Sequence, residues 1–216
     1  MQSRAEKGNR ECMKRPIAEL LTMTINADAE STRSQYEHEA WQILRRKQGY
    51  VTHRLYRGLT EPLRRLVYSE WESKKALDGA RQHLQGTPLQ RRARSALSAA
   101  PQRLIVELGG PVTSTKGLDL PSGAVVGNVL ARLATHEPSH GADEKLWQAL
   151  SSQGGHLATV VFHGFEDPLL LGWLSHWADA ELFAKARSHF EEIATGGGAT
   201  QLAQPLECAA YTQLSD

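Results

Sequence analysis

The sequence predicts an α+β protein: two tandem ferredoxin-like β-α-β-β-α-β domains forming an intramolecular α/β barrel. The first observation behind this is a repeated phrase. LVYSEWESKKALDGARQH (Leu66–His83) returns as LGWLSHWADAELFAKARSH (Leu171–His189), with Trp71 and Trp177, Arg81 and Arg187, and His83 and His189 each 106 residues apart. Gly58 and Gly164, Pro62 and Pro168, and Trp41 and Trp147 keep the same offset. A period of that length marks duplication of a whole domain, not a solenoid of short units. The second observation is that strand-like and helix-like segments follow in the same order twice. The third is that the segment Leu170–Trp177 is apolar on both alternating faces, Leu170 and Leu174 on one and Leu171 and Trp173 on the other. Helices cover one face of such a sheet, and the sheet of the other copy is the simplest cover for the second.

The elements follow in order. Residues 1–16 are polar and basic without an apolar core, and they read as a disordered tail. The first domain is placed at 17–110. AELLTMTIN alternates and carries β-branched residues, so it is a strand. ADAES supplies turn and capping chemistry for a helix over Ser31–Lys47, with Tyr36, Ala40, Ile43 and Leu44 as its apolar stripe and Gly49 after its end. YVTHRLYRG and RRLVYSEWE are two strands joined by the turn LTEP. Ser73 can cap the helix KKALDGARQHL, GTP breaks the chain before the helical piece LQRRARSAL, and PQRLIVELGG is the closing strand. Residues 111–122, rich in Pro, Gly, Ser and Thr, suit a linker. The second domain, 123–216, repeats the order: the strand GAVVGNVLARLA, the helix PSHGADEKLWQALSSQ, the strands HLATVVFHG and LLLGWLSHW, the helix DAELFAKARSHFEEIA, the break GGGATQ and the strand PLECAAYTQL.

Bulk composition narrows the function. The chain of 216 residues has 25 Lys and Arg against 24 Asp and Glu, a net charge of +1 that offers no broad surface for nucleic acid. No run of apolar residues reaches membrane-spanning length, so no membrane span is expected and a cytoplasmic location follows as the default. The two cysteines, Cys12 and Cys208, fit neither a disulfide framework nor a metal-binding spacing. His163 and His176 lie on adjacent predicted strands, but no HxH or HxxxH pair joins them, so no metal is expected.

EWESKKAL (Glu70–Leu77), preceded by the Gly49-Tyr50 strand start and followed by HLQGTP (His83–Pro88), resembles the antibiotic biosynthesis monooxygenase family. HWADAELF (His176–Phe183) resembles it more loosely, and together the two copies cover nearly all of the chain outside the tail and linker. The resemblance implies a member of the dimeric α/β-barrel superfamily whose usual homodimer is here fused as a pseudo-dimer in one chain. Further oligomerisation stays open because helix faces remain available. It also implies a ligand pocket between sheet and helices, and cofactor-independent oxygenation of phenolic or polyketide-like aromatics, quinol oxidation or, in a related branch, haem degradation. The departures are specific. Where the aromatic-polyketide oxygenases keep a tyrosine six residues after the strand tryptophan, this chain has Leu77 and Phe183. Their asparagine four residues before it is replaced by Val67 and Trp173, and their strand histidine by Tyr56 and Phe162. Asn128 matches the first-strand asparagine of the haem-degrading branch, whose further tryptophan and axial histidine are absent.

The expected catalytic groups are His83 and His189, imidazoles that titrate near neutrality and so can accept a proton. Trp71, Trp177, Tyr56, Tyr68, Asn128, Trp173 and His176 are the expected substrate-binding residues. For the tryptophans the competing role is sealing the core between sheet and helices. Arg81 and Arg187 read as parts of solvated helix faces, and Gly127 as a point of close approach by a ligand or the other sheet. The expected function is a monooxygenase-like enzyme with no bound cofactor, taking a hydrophobic, aromatic or polyketide-type small molecule and dioxygen, with the pocket in one copy only. The alternative is a non-catalytic small-molecule-binding or scaffold protein on the same barrel, with haem degradation third.

Overall fold

The computed structural model describes residues 16–109, 115, 116, 118, 120, 121, 124–133, 148, 152–195 and 202–214. The first half runs β1 (Ile17–Thr24), α1 (Glu30–Leu44), β2 (Tyr50–Gly58), β3 (Arg64–Trp71), α2 (Lys74–Gln82), α3 (Pro88–Ser95) and β4 (Gln102–Gly109). The second contributes β5 (Val125–Leu133), β6 (His156–Gly164), β7 (Leu170–Trp177), α4 (Ala180–Thr195) and β8 (Leu202–Gln213). The N-terminal tail, most of the linker and the helix predicted around Trp147 lie outside the described residues.

All neighbouring strands pair antiparallel, and the sheet closes in the order β1-β3-β2-β8-β5-β7-β6-β4, with β4 returning to β1. Each half supplies four adjacent strands in the split βαβ order, and the halves are joined at two seams, β2 with β8 and β4 with β6. The two halves share local detail as well as order. Gly49 and Gly155 both take φ near +80°, a conformation that favours glycine. Each precedes a strand whose pairing slips by one residue at the same place, between Tyr50 and Thr52 and between His156 and Ala158. The Trp71 indole donates to Ser69 Oγ at 3.0 Å and the Trp177 indole to Ser175 Oγ at 2.9 Å. A buried indole N–H needs such a partner, so the phrase Ser-x-Trp carries its own satisfaction in both places.

The closed sheet settles which alternating set points where. Leu66, Tyr68, Leu170 and Leu174 belong to the set directed into the barrel, and the interior core is built from it with Tyr56, Val106, Phe162 and Tyr211. An eight-stranded barrel is narrow enough for side chains to fill, and these do so. Val67, Leu171 and Trp173 point outward beneath the helices, in two separate clusters, one per half.

The helices depart from the sequence expectation in detail. The stripe that α1 buries is Arg33, Glu37, Ala40, Trp41 and Leu44, whereas Ile43 is exposed. The Arg33–Glu37 ion pair at 2.8 Å lets this stripe begin with charged residues. Ala29 occupies the N-cap of α1 without a side-chain bond, while Ser73 and Thr87 cap α2 and α3 by accepting from Ala76 N and Gln90 N. Strand β8 begins at Leu202, three residues before the expected strand PLECAAYTQL.

Candidate functional site

A cavity of about 480 Å³ lies between the outer face of the first half's sheet and helices α1, α2 and α3. Strand alternation places Glu19 and Leu21 of β1 and Val67 and Trp71 of β3 on that face. Ala40, Trp41 and Leu44 of α1 and Leu77 of α2 close the apolar part from the helix side. Trp71, 1% exposed, forms a flat wall.

The polar part of the lining is organised around one carboxylate. Glu19 Oε1 accepts from Arg81 Nη2 of α2 at 2.5 Å and from Arg103 Nε of β4 at 2.8 Å. Arg81 also approaches Asp78 Oδ1 at 3.6 Å. Arg33 sits over the Tyr36 ring at 4.7 Å, and burial raises the Tyr36 phenol above its ordinary pKa, with Arg33 opposing the shift. The cavity therefore joins an aromatic and aliphatic interior to a carboxylate held by two guanidinium groups. It can bind an apolar ring and orient a polar edge.

The equivalent space of the second half is packed differently. The pairing of β1 with β3 and of β5 with β7 puts Gly127 where the first half has Glu19, and Trp173 where it has Val67. Phe183 stands where α2 carries Leu77, 106 residues earlier. Phe183 lies so close to the sheet that a Cβ on Gly127 would fall 2.1 Å from Phe183 Cε2. The close approach expected at Gly127 is therefore made by a helix side chain, not by a ligand or the other sheet. Trp173, Trp177, Phe183 and Ala186 form one buried cluster there.

The remaining expected residues separate accordingly. Tyr56, Tyr68, Asn128 and His176 point into the barrel, on the opposite side of the sheet from the cavity, so they cannot line a pocket between sheet and helices. Inside the barrel Tyr56 OH lies 3.3 Å from His176 Nε2, and Tyr68 OH donates to Glu70 Oε1 at 2.9 Å. Glu70 also accepts from the backbone N–H and hydroxyl of Thr115, while Arg54 donates to the carbonyls of Thr115 and Leu118 at 2.8 and 2.6 Å. This segment between the halves is thus bound to β2 and β3. Burial pushes the His176 imidazole down to about 3, aided by the Arg54 charge, and raises the phenols of Tyr56 and Tyr68.

His83 caps the C-terminal end of α2, is exposed and does not line the cavity. His189 belongs to α4, and its side chain lies outside what is described. Trp71 is the one expected substrate-binding residue among the cavity's lining residues, and Trp177 occupies the matching position in the second half. Arg81 is not on a solvated face: its side chain is 23% exposed and tied to Glu19, whereas Arg187 is exposed as expected. No local sequence pattern singles out Glu19 and Arg103, because their charges meet across strands. The outward parity of Glu19, shared with Ile17 and Leu21, was the available signal.

No cluster of metal-ligating side chains occurs among the described residues, and no described helix is long and apolar enough to cross a membrane. The described lining of the cavity has no histidine or cysteine to offer a haem iron, and Asn128 faces away from it.

No family model matches the chain, and no curated protein matches it either. Solved structures do. A candidate monooxygenase from Fusobacterium nucleatum superimposes with a TM-score of 0.69 at 8% identity, covering 93% of both chains. A candidate chlorite dismutase gives 0.66 at 10% identity, covering 94% of this chain and 96% of its own. An anthrone oxidase-like protein gives 0.61 at 15% identity, covering 93% and 92%. At these identities the likeness establishes one conclusion: the chain has the two-halved α/β-barrel fold found in proteins described as monooxygenases.

Proposed function

We propose that the chain is a monooxygenase-like enzyme whose substrate chamber is the first half's cavity, and that it oxidises a hydrophobic aromatic small molecule with dioxygen and no resident cofactor. The observation that carries this is the pairing of the Trp71 wall with the Glu19–Arg81–Arg103 cluster inside a cavity of about 480 Å³, large enough for a fused aromatic ring system. The fold shared with the oxygenase-type structures supports it by analogy only.

In this proposal Glu19 takes the place expected for His83. Both guanidinium contacts fall on Oε1, which leaves Oε2 to accept a proton from an acidic enol or phenol. Arg81 then faces the anion that forms. That anion gives an electron to dioxygen, the radical pair combines to a carbon-bound peroxide, and loss of water leaves a carbonyl. For an anthrone-type methylene the balance is R₂CH₂ + O₂ → R₂C=O + H₂O, with the proton held by Glu19 returned to the departing hydroxide. The apolar walls exclude water that would otherwise solvate the substrate anion. The halves 17–110 and 123–216 are, in the same proposal, copies of one domain, supported by the offset of 106 between β2 and β6 and between β3 and β7.

Oxygen uptake with a panel of anthrones, naphthols and quinols tests the assignment. At least one should be turned over, and Glu19→Gln should lower kcat by about 10²-fold or more with KM little changed. Val67→Trp, which imports the ring found at Trp173, should fill the chamber and abolish binding. If no compound is oxidised or bound, the chamber is not a site for aromatics. Binding without oxygen uptake would make the protein a carrier.

A further inference from the structure

The chamber is not electrically neutral. Setting aside the buried Arg33–Glu37 pair, its lining holds Arg81, Arg94 and Arg103 against Glu19 and Asp78. Arg81 and Arg103 share Glu19, and Asp78 sits beside Arg81 and the Lys74 ammonium, 2.7 Å away. Arg94, on α3, is exposed and makes no ion pair with a described residue. Among the described residues one positive charge is therefore uncompensated, and it sits on the exposed Arg94, whereas the apolar lining residues Val67, Trp71, Leu77 and Ala40 are buried.

A second observation points the same way. The Nε–H of Arg81 is buried and finds no hydrogen-bond partner among the described residues; Arg54 and Arg57 share this, but of the three only Arg81 lines the cavity. A buried donor left unmade is costly, and the group that best satisfies a guanidinium edge is a carboxylate. The second half supplies the contrast. Its register carries Gly127 and Cys208 in place of Glu19 and Arg103, and Arg187 is exposed. Among the described residues the second half shows no matching carboxylate–guanidinium cluster at these positions.

We propose that the substrate carries a carboxylate on its aromatic system, with the ring against Trp71 and the carboxylate held by Arg94 at the mouth and by the guanidinium of Arg81 behind it. This rests on the cavity being the substrate chamber, and it adds the substrate's charge to that reading. Neutral polycyclic phenols then bind by their rings alone. Aromatic hydroxy acids gain the ionic contact and become the preferred class.

The test uses the full chain and a matched pair of probes, 1-hydroxy-2-naphthoate and 1-naphthol, with affinity read from tryptophan fluorescence and thermal shift. The acid should bind about tenfold or more tightly than the neutral phenol, the scale of a charge-assisted hydrogen bond. Added salt should weaken the acid alone. Arg94→Gln, at an exposed helix position that folding does not need, should reduce the preference, and Arg81→Gln should remove most of it, with 1-naphthol binding unchanged in Arg94→Gln. Equal binding of the two probes, no binding of either, or a preference that survives both substitutions would overturn the proposal. If the acid binds with this arginine dependence but no oxygen is consumed, the carboxylate site stands and the oxygenase reading fails.

Discussion

The two sheet–helix layers of this molecule differ where their frames agree. Both place a tryptophan at the end of the third strand, tie its indole to a serine two residues before it, and start the preceding strand with a glycine at positive φ. Between those fixed points the first half sets Glu19, Val67 and Leu77, and the second sets Gly127, Trp173 and Phe183. One substitution set leaves a cavity with a carboxylate in it. The other puts two aromatic rings, Trp173 and Phe183, at the matching positions. Fold and site are thus written in different residues of the same strands, so three proteins with such different descriptions can share one barrel.

Removing the shared element should have the largest effect on stability. Trp71→Ala and Trp177→Ala should each cost about 3–5 kcal/mol in urea denaturation, because a fully buried indole leaves a void that rigid strands cannot close. Trp177→Ala should cost the more of the two, since Trp177 packs in one buried cluster with Trp173 and Phe183 whereas Trp71 already borders a cavity. Equal losses would mean that the two layers are packed alike.

The next effect isolates the difference between the halves. Gly127→Ala places a methyl group against Phe183 and should destabilise by about 1–3 kcal/mol through overpacking. Adding Phe183→Leu should recover much of that loss, because the shorter side chain relieves the contact with residue 127.

Acid should reveal the asymmetry inside the barrel. The folded-state pKa of His176 is pushed down to about 3, below its unfolded value, so its contribution is complete above the unfolded pKa near 6.5 and is lost as pH falls toward 3. His156 is lowered as well, also by burial, and acts in the same direction. Replacing His176 with Phe should flatten the stability curve between about pH 6 and 3 by up to ~1.4 kcal/mol per pH unit, one proton's worth. An unchanged slope would mean that His176 gains a proton in the folded protein.

Much of the frame could be read in the sequence because it rests on repeated, chemically distinctive residues. The fixed offset fixed the strand order, and apolar residues on both faces of Leu170–Trp177 required a closed barrel. Facing was harder. Tyr68 and Trp71 differ by three positions, and so do Trp173 and His176, so each pair must point to opposite sides of its sheet. The expected site residues nevertheless combined both parities, and only those that share the face of Trp71 could line one pocket with it. The Glu19–Arg81 contact spans 62 residues and joins a strand to a helix, a pairing no local pattern announces. On local pattern alone an arginine midway along an amphipathic helix is assigned to solvent.

The seams joining β2 to β8 and β4 to β6 make two layers the property of one polypeptide. A barrel assembled from identical subunits must accept every substitution twice, so a ring that closes one pocket closes its mate, and a charge that equips one equips both. Here one layer can carry the rings that stiffen the barrel while the other forgoes them. The tether also holds the halves at an effective concentration of about millimolar even when a seam is weakened. Instability caused by hollowing the first layer is therefore offset without a second molecule having to bind.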